Sequence, residues 1–356
     1  MIMNPYIYII PFLLVLISLE MLVANQRGLK VYRFQDTLVS INVGVVSQFV
    51  NTIGGVISVT MYSILVARYG AFTWDESNPL TWILGLLLYD FCYYWVHRAG
   101  HEINISWAAH VVHHSSEEFN LSTALRQSAT GFYFKWIFYI PLALLGFSVK
   151  MFIVLGLIDL IYQYWVHTQL IGRLGFLEKF LVTPSNHRVH HGQNDYCLDK
   201  NYGGILSIWD QFFGTYADER ENEKPVYGVR KPLRSWNAVW GNLHHYGVIF
   251  KQVKEMPQWR DKLMVVFAPP RWRPDSDSTA EELFDHKNFE RFNTYSSKLM
   301  RSIGVITTLL GAVLLANFLM IQSHLELSSR LGYSAVMLFG YVVVGWVWFI
   351  PLKVRV

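Results

Sequence analysis

The chain has 356 residues, 52% of them hydrophobic and 16% aromatic, and only 16% are Asp, Glu, Lys or Arg, against about a quarter in ordinary soluble domains. That deficit, with a mean hydropathy of +0.24, argues against a water-soluble globule and points to a bilayer. The net charge of +4 comes with no basic block suited to nucleic acid, and the two cysteines, Cys92 and Cys197, form no CxxC, so neither a disulfide framework nor a redox dithiol is indicated.

The opening "MIMNPYIYIIPFLL" has no basic leader and no small-residue cleavage site, so it reads as a membrane helix over residues 6–24 rather than a signal peptide. About 20 apolar residues suffice to cross the hydrocarbon core, and six more candidate stretches follow at 39–67, 80–97, 130–147, 149–166, 302–322 and 332–352. The second carries no charge over 29 residues, and "NTIGG" (51–55) predicts a kink in it. The fourth and fifth meet at "GFSVK" (146–150) as a tight helical hairpin. Residues 168–300 form a polar segment broken by Pro and Gly, with "APPRWRPDSDST" (268–279) as a turn-rich linker. The expected organisation is N-terminal transmembrane helices over 1–79 and a catalytic region over 80–220. A cytoplasmic extension and linker over 221–300 and a C-terminal transmembrane hairpin over 301–356 follow.

Lys and Arg in the loops set the orientation. The 25–37 loop carries Arg27, Lys30 and Arg33, the 168–300 segment carries many more, and the tail ends "LKVRV". Alternation through seven spans puts every basic loop on one face, the cytoplasmic one. The same face receives the ends of the third and fifth stretches and the whole of 98–129 and 168–300, and with them, ahead of the linker, eleven of the thirteen histidines. The fold class expected is therefore an all-α, multi-span membrane bundle with a cytoplasmic histidine-rich helical cap.

Those histidines are clustered as "HRAGH" (His97, His101), "HVVHH" (His110, His113, His114) and "HRVHH" (His187, His190, His191). Positions i, i+3 and i+4 share a helix face, so each cluster is expected to aim two or three imidazoles at one point. Neutral imidazole is a common metal ligand that suits iron, zinc or copper. Eight such donors exceed one coordination sphere and fit two ions. Structural zinc commonly recruits Cys, and the di-iron sites of soluble four-helix bundles use Glu. With no Cys in the clusters and few carboxylates beside them, an all-imidazole dinuclear site is expected, with iron favoured. His167, in "YWVHTQ", ends the fifth stretch as His97, in "YWVHRA", ends the third, and is a candidate ninth donor. In "NLHHYG", His245 is a weaker candidate than His167, and His244 a weaker one still, with a lipid headgroup as the alternative contact. His286 and His324 read as ordinary.

HxxxH, HxxHH and HxxHH between and after membrane stretches resemble the fatty acid hydroxylase and sterol desaturase superfamily of integral-membrane di-iron oxygenases. The strings "HEINISWAAHVVHHSSEEFNLSTALRQS" and "TPSNHRVHHGQNDYCLDKNYGGILSIWDQFFGTY" are similar to its alkylglycerol monooxygenase branch, and the likeness covers about residues 80–220. The resemblance implies that the eight motif histidines are ligands and that His167 matches a further ligand of relatives. Some members carry another His at the place of Ile171. Here His245, a water or Asn186 is left to stand in.

Asp90 and Asp159 lie inside apolar stretches, where a carboxylate is costly and usually functional or paired. Asp90 is expected to orient Tyr94 or, more distantly, a ligand. Asp159 is expected to hold an imidazole tautomer, with helix–helix hydrogen bonding as the alternative for both. Glu102 follows His101 and is expected to reach an imidazole, while Asp199 and Asn201 anchor the loop after the last cluster. Arg126 and Arg188 counter an anionic headgroup or line the cytoplasmic face.

The resemblance implies O2-dependent hydroxylation of a lipid alkyl chain. On an ether lipid, oxidation of the carbon beside oxygen gives a hemiacetal that collapses to aldehyde and glycerol. Two electrons must come from outside, because the chain shows no CxxCH, no GxGxxG in a strand–helix setting and no ferredoxin-type Cys run. A reductase, cytochrome, ferredoxin or pterin partner is implied, with tetrahydrobiopterin the reductant used in the branch. Hydroxylation or desaturation of a fatty acyl, sterol or carotenoid chain is the main rival. A metal transporter or bis-His haem protein, and a metal-dependent hydrolase, are the other classes.

Overall fold

The computed structural model describes residues 6–274, 284–286, 288–294 and 296–348. Among these residues there is no strand, only two isolated bridges, and helices carry the architecture. The tail "LKVRV" and residues 275–279 of the expected linker lie outside the described residues.

Helix α1 (Tyr6–Gln26) is apolar and turns Phe12 and Leu22 outward. Helix α2 (Phe34–Tyr69) bends by 46° between Thr52 and Gly54, at the glycine-bearing stretch where a kink is expected. Helix α3 (Pro79–Glu102) starts on a proline that needs no N–H partner, under Asn78, whose side chain accepts the Leu80 N–H. Four short helices follow: α4 (Asn104–Ala108), α5 (Val111–His114), α6 (Leu121–Ala124) and α7 (Phe132–Lys135). After a 3₁₀ turn over Trp136–Tyr139, α8 (Ile140–Leu144) and α9 (Val149–Trp165) complete the expected hairpin. Its turn needs Gly146, whose φ is +87° and whose Cβ would lie 1.9 Å from the Phe72 carbonyl oxygen.

Beyond it come α10 (Pro184–His190), α11 (Ile208–Phe213), the pair α12 (Ala238–Glu255) and α13 (Trp259–Phe267), and the apolar pair α14 (Lys298–Ile321) and α15 (Leu327–Trp348). The last two pack on the N-terminal half of α2, where Phe49 meets the rings of Phe318 and Tyr333.

Fewer than seven of the described stretches pass as spans on length and hydropathy alone. Among the described residues three segments are long and apolar enough to cross a membrane: Ile9–Gln26, Lys298–His324 and Leu327–Gly345. The bent α2 makes a fourth. The stretch 130–147 yields only a short apolar run of helical pieces, Phe132–Leu144, with Pro141 in the first turn of the last piece. Helix α9 has 17 residues, about 26 Å at 1.5 Å per residue. Helix α3 is long enough but interrupts its apolar run with Asp90 and several tyrosines.

The chain still returns to one end. The turns 70–78 and 145–148 meet, with the Ala71 N–H on the Leu144 carbonyl and the Trp74 indole N–H on the Leu145 carbonyl. At the other end Arg33 pairs with Glu117 and Glu118, and Asn120 donates to the Val31 carbonyl. The loop after α1, the loop after α5 and residues 291–292 therefore gather where α3 and α9 end.

Candidate metal centre

Each histidine cluster is placed by a local device. His97 and His101 occupy the last turn of α3. His113 and His114 lie on the four-residue α5, for which His110 is the N-cap. Helix α10 starts in a capping box: Thr183 accepts the Asn186 N–H and the Asn186 side chain accepts the Thr183 N–H. Pro184 follows at the first position, and the helix then presents His187 and His190, with His191 at its end. His167 stands just beyond α9.

The nine rings form two groups, within each of which the donor atoms lie within 4.8 Å of one another. His97, His101, His110, His114 and His190 make one. His113, His167, His187 and His191 make the other. Each cluster aims two imidazoles at one point, as the helix-face argument expects, and the third of each HxxHH motif goes to the other group. His110 and His114 serve the first group while His113 serves the second. His187 and His191 serve the second while His190 serves the first. Residues four apart stay together, and the residue at i+3 falls on the other flank of so short a helix. The two copies thus make opposite contributions, and the groups touch through the stacked rings of His114 and His191, 4.3 Å between centroids.

Backbone carbonyls fix the tautomers. A carbonyl only accepts, so each Nδ1 facing one carries the proton and leaves Nε2 with its lone pair. His97 donates to the Tyr202 carbonyl at 2.8 Å, His113 to Arg126 at 3.1 Å, His167 to Gln163 at 2.8 Å and His190 to Lys200 at 2.9 Å. Two such bare lone pairs, Nε2 of His113 and of His167, face each other at 3.3 Å. Two lone pairs repel at that distance unless a cation lies against both. Nitrogens about 2.0–2.1 Å from a common ion sit about 2.8–3.4 Å apart, and the His114–His190 and His167–His187 Nε2 pairs, at 3.1 and 2.9 Å, match that spacing. Nε2 of His101 and of His191 are buried and have no hydrogen-bond partner. Burial also lowers the imidazole pKa values, to about 4 for His190, about 3 for His167 and well below the usual value for His110, His113, His114, His187 and His191. The rings are neutral, the form that ligates. All of this fits two cations held by nitrogen.

The remaining expected site residues land elsewhere. Nε2 of His245 is 2.8 Å from Asn104 Oδ1, and the ring joins neither group. Nδ1 of His244 is 2.9 Å from the Gly241 carbonyl. Glu102 pairs with Arg98 at 3.0 Å rather than with an imidazole, because the two stand one turn apart on α3. Asp90 does not orient Tyr94. It accepts the backbone N–H groups of Ile205 and Leu206 and the indole N–H of Trp209. Asp159 accepts from Gln163, whose carbonyl in turn holds His167, so it reaches an imidazole only through that residue. Asn201 anchors its loop by bonds to Asn186 and Ala217, and Asp199 pairs with Arg271. Arg126 and Arg188 are buried and face no headgroup. The first donates to the Val112 carbonyl, while the second forks onto Glu219 and also reaches the Ile171 carbonyl.

Sequence reasoning missed Asp210, which accepts the Tyr202 and Gly203 N–H groups at 2.7 and 2.8 Å. A lone acid in the aromatic string "SIWDQFFG" was the available signal. With Asp90 it holds the loop whose Lys200 and Tyr202 carbonyls orient His190 and His97. The approach is so close that a Cβ on Gly204 would lie 2.7 Å from Asp159 Oδ1 and 2.9 Å from Asp90 Oδ1. Lys135, a charge inside the apolar stretch 130–147, was also passed over. It borders a small, open cleft that His97, His110, Val96, Phe134 and Phe138 also line. The cleft leads to the first group of histidines from one side.

Comparison with known proteins fits this arrangement. A fatty acid hydroxylase family model matches residues 82–215. Human alkylglycerol monooxygenase is 42% identical over 300 residues, covering 83% of this chain and 67% of its own length. The Xenopus tropicalis alkylglycerol monooxygenase is 41% identical over 260 residues, 73% of this chain and 58% of its own. Ornithine lipid hydroxylase OlsE of Rhizobium tropici is 32% identical over 171 residues, 45% of this chain and 50% of its own. The chain thus spans between half and two thirds of the length of these relatives. No solved structure matches it.

Proposed function

The chain belongs to the fatty acid hydroxylase family, and from that premise we propose that it is a membrane-bound dinuclear-iron monooxygenase acting on a lipid alkyl chain, an alkylglycerol in the first instance. The single observation that carries this reading is the pair of adjoining all-imidazole groups, one of five and one of four donors. Iron bound there supplies O2 activation and the oxidising power to break an unactivated C–H bond.

The chain's own residues do the rest. Val96, Phe134 and Phe138 line the cleft beside His97 and His110, hold an alkyl chain there and keep water away from it. The carbonyls of Tyr202, Lys200, Arg126 and Gln163 keep four imidazoles in one tautomer and orientation. One oxygen atom of O2 enters the C–H bond and the other leaves as water, with two electrons and two protons from outside. When the oxidised carbon adjoins an ether oxygen, the product hemiacetal collapses to a fatty aldehyde and glycerol. The donor is an external reductase, cytochrome, ferredoxin or reduced pterin such as tetrahydrobiopterin. The site faces the cytoplasm, a reading supported by the gathering of the Arg33 loop and the histidine-bearing loops at one end.

The test is metal analysis of the purified protein together with aerobic and anaerobic incubation of a chain-labelled alkylglycerol. Two irons per chain and O2-dependent release of labelled aldehyde are expected. Zinc in place of iron, or turnover without O2, overturns the reading. A second outcome, hydroxylation with the chain left intact, is favoured by the likeness to ornithine lipid hydroxylase and to the fatty acid hydroxylase vlmA. It would appear as a hydroxylated lipid with no aldehyde.

A further inference from the structure

Lys135 stands in the wall of the cleft that reaches the first group of histidines. Its neighbours there are largely apolar: Val96, Phe134, Phe138 and the ring of Tyr93. The side chain folds back toward Gly131, where an added Cβ would meet Lys135 Cε at 3.0 Å. The side chain is exposed, at the edge of the cleft. Among the described residues no carboxylate lies within ion-pair distance of Lys135, and Asp159 receives its hydrogen bond from Gln163. A cation with no acid partner, set at the edge of an apolar cleft, can form a charge-assisted hydrogen bond to an anion brought there.

We infer that the cleft is a binding site for amphiphiles whose head carries an anionic oxygen group, a carboxylate or a phosphate, with Lys135 as the residue that selects it. This rests on the cleft being where the lipid binds. The alkyl chain takes the aromatic walls and the head takes the ammonium. His97 and His110 border the same cleft, so the carbons nearest the head are those held close to the oxidising centre. Lys135 is a specificity-determining residue here and takes no part in the chemistry.

The experiment uses the full-length, iron-loaded protein in nanodiscs of neutral lipid. The probe is radiolabelled 1-O-hexadecylglycerol, displaced by three ligands of equal chain length: palmitate, 1-O-hexadecylglycerol 3-phosphate and unlabelled 1-O-hexadecylglycerol. At least one anionic ligand should bind about tenfold more tightly than the neutral one, as a charge-assisted hydrogen bond allows. Preference for palmitate alone identifies a carboxylate head, and preference for the phosphate alone a phosphorylated one. The preference should vanish in Lys135→Gln and persist in Lys135→Arg, with iron content checking that both variants fold. Equal affinities in the wild type, or a preference that survives in Lys135→Gln, overturn the inference and leave the cleft as the lipid site. If none of the three displaces the probe, the cleft is not the lipid site and the inference falls with it.

Discussion

Asp210 and Asp90 act on the metal centre without touching it. Each accepts two backbone N–H groups of the 200–206 loop, whose Tyr202 and Lys200 carbonyls orient His97 and His190. Asp210→Ala leaves buried donors unpaired and frees the loop, so metal affinity should fall about 10–100-fold, measured by iron retention against a chelator. An unchanged affinity would show that the carbonyls do not matter. Ala at His113 or His190 should abolish O2-dependent turnover and deplete iron, whereas His245→Ala, which loses only a contact with Asn104, should retain wild-type iron. Iron loss in His245→Ala would restore that residue as a ligand. The motif histidines were legible because few other roles explain three such crowded clusters. The partners of Asp90 were not, because they lie more than a hundred positions away in the chain, and no local pattern connects a buried acid to a distant loop.

Short helices set the division of the imidazoles. Helix α10 owes its start to the Thr183–Asn186 capping box, so Thr183→Ala should cost about 1 kcal/mol, visible as a lower melting temperature of the purified protein. An unchanged melting temperature would mean that packing alone holds the helix. Gly146→Ala should be worse, since both its φ and the Phe72 carbonyl oppose a side chain. At this scale the sequence conveyed which histidines are neighbours along a helix. It did not convey that one-turn helices would be approached from two flanks. It also overcounted spans. Hydropathy does not distinguish a helix facing lipid from one packed against protein, so 130–147 and 149–166 read as crossings. In the fold Leu142, Ala143, Met151 and Leu155 instead share a buried core with Tyr62 and Tyr89.

The whole molecule has two ends. The turns at 70–78 and 145–148 form one, and the histidine-bearing loops form the other, separated by the 24 residues of α3, about 36 Å. Cys92 and Cys197 are buried, so single cysteines introduced at the exposed Ser77 and Lys224 report sidedness cleanly. In sealed vesicles an impermeant thiol reagent should reach the two positions from opposite faces, Lys224 from the cytoplasmic one. Labelling from the same face would show that α3 does not carry the chain across the bilayer. The reciprocal use of the two HxxHH motifs bears on how the protein acquires its ions. Helices α5 and α10, with their flanking histidines, contribute to both groups, so capture of a first ion would immobilise ligands awaiting the second. Loading should be cooperative: at substoichiometric iron, native mass spectrometry should find empty chains and chains carrying two ions side by side, with few carrying a single ion.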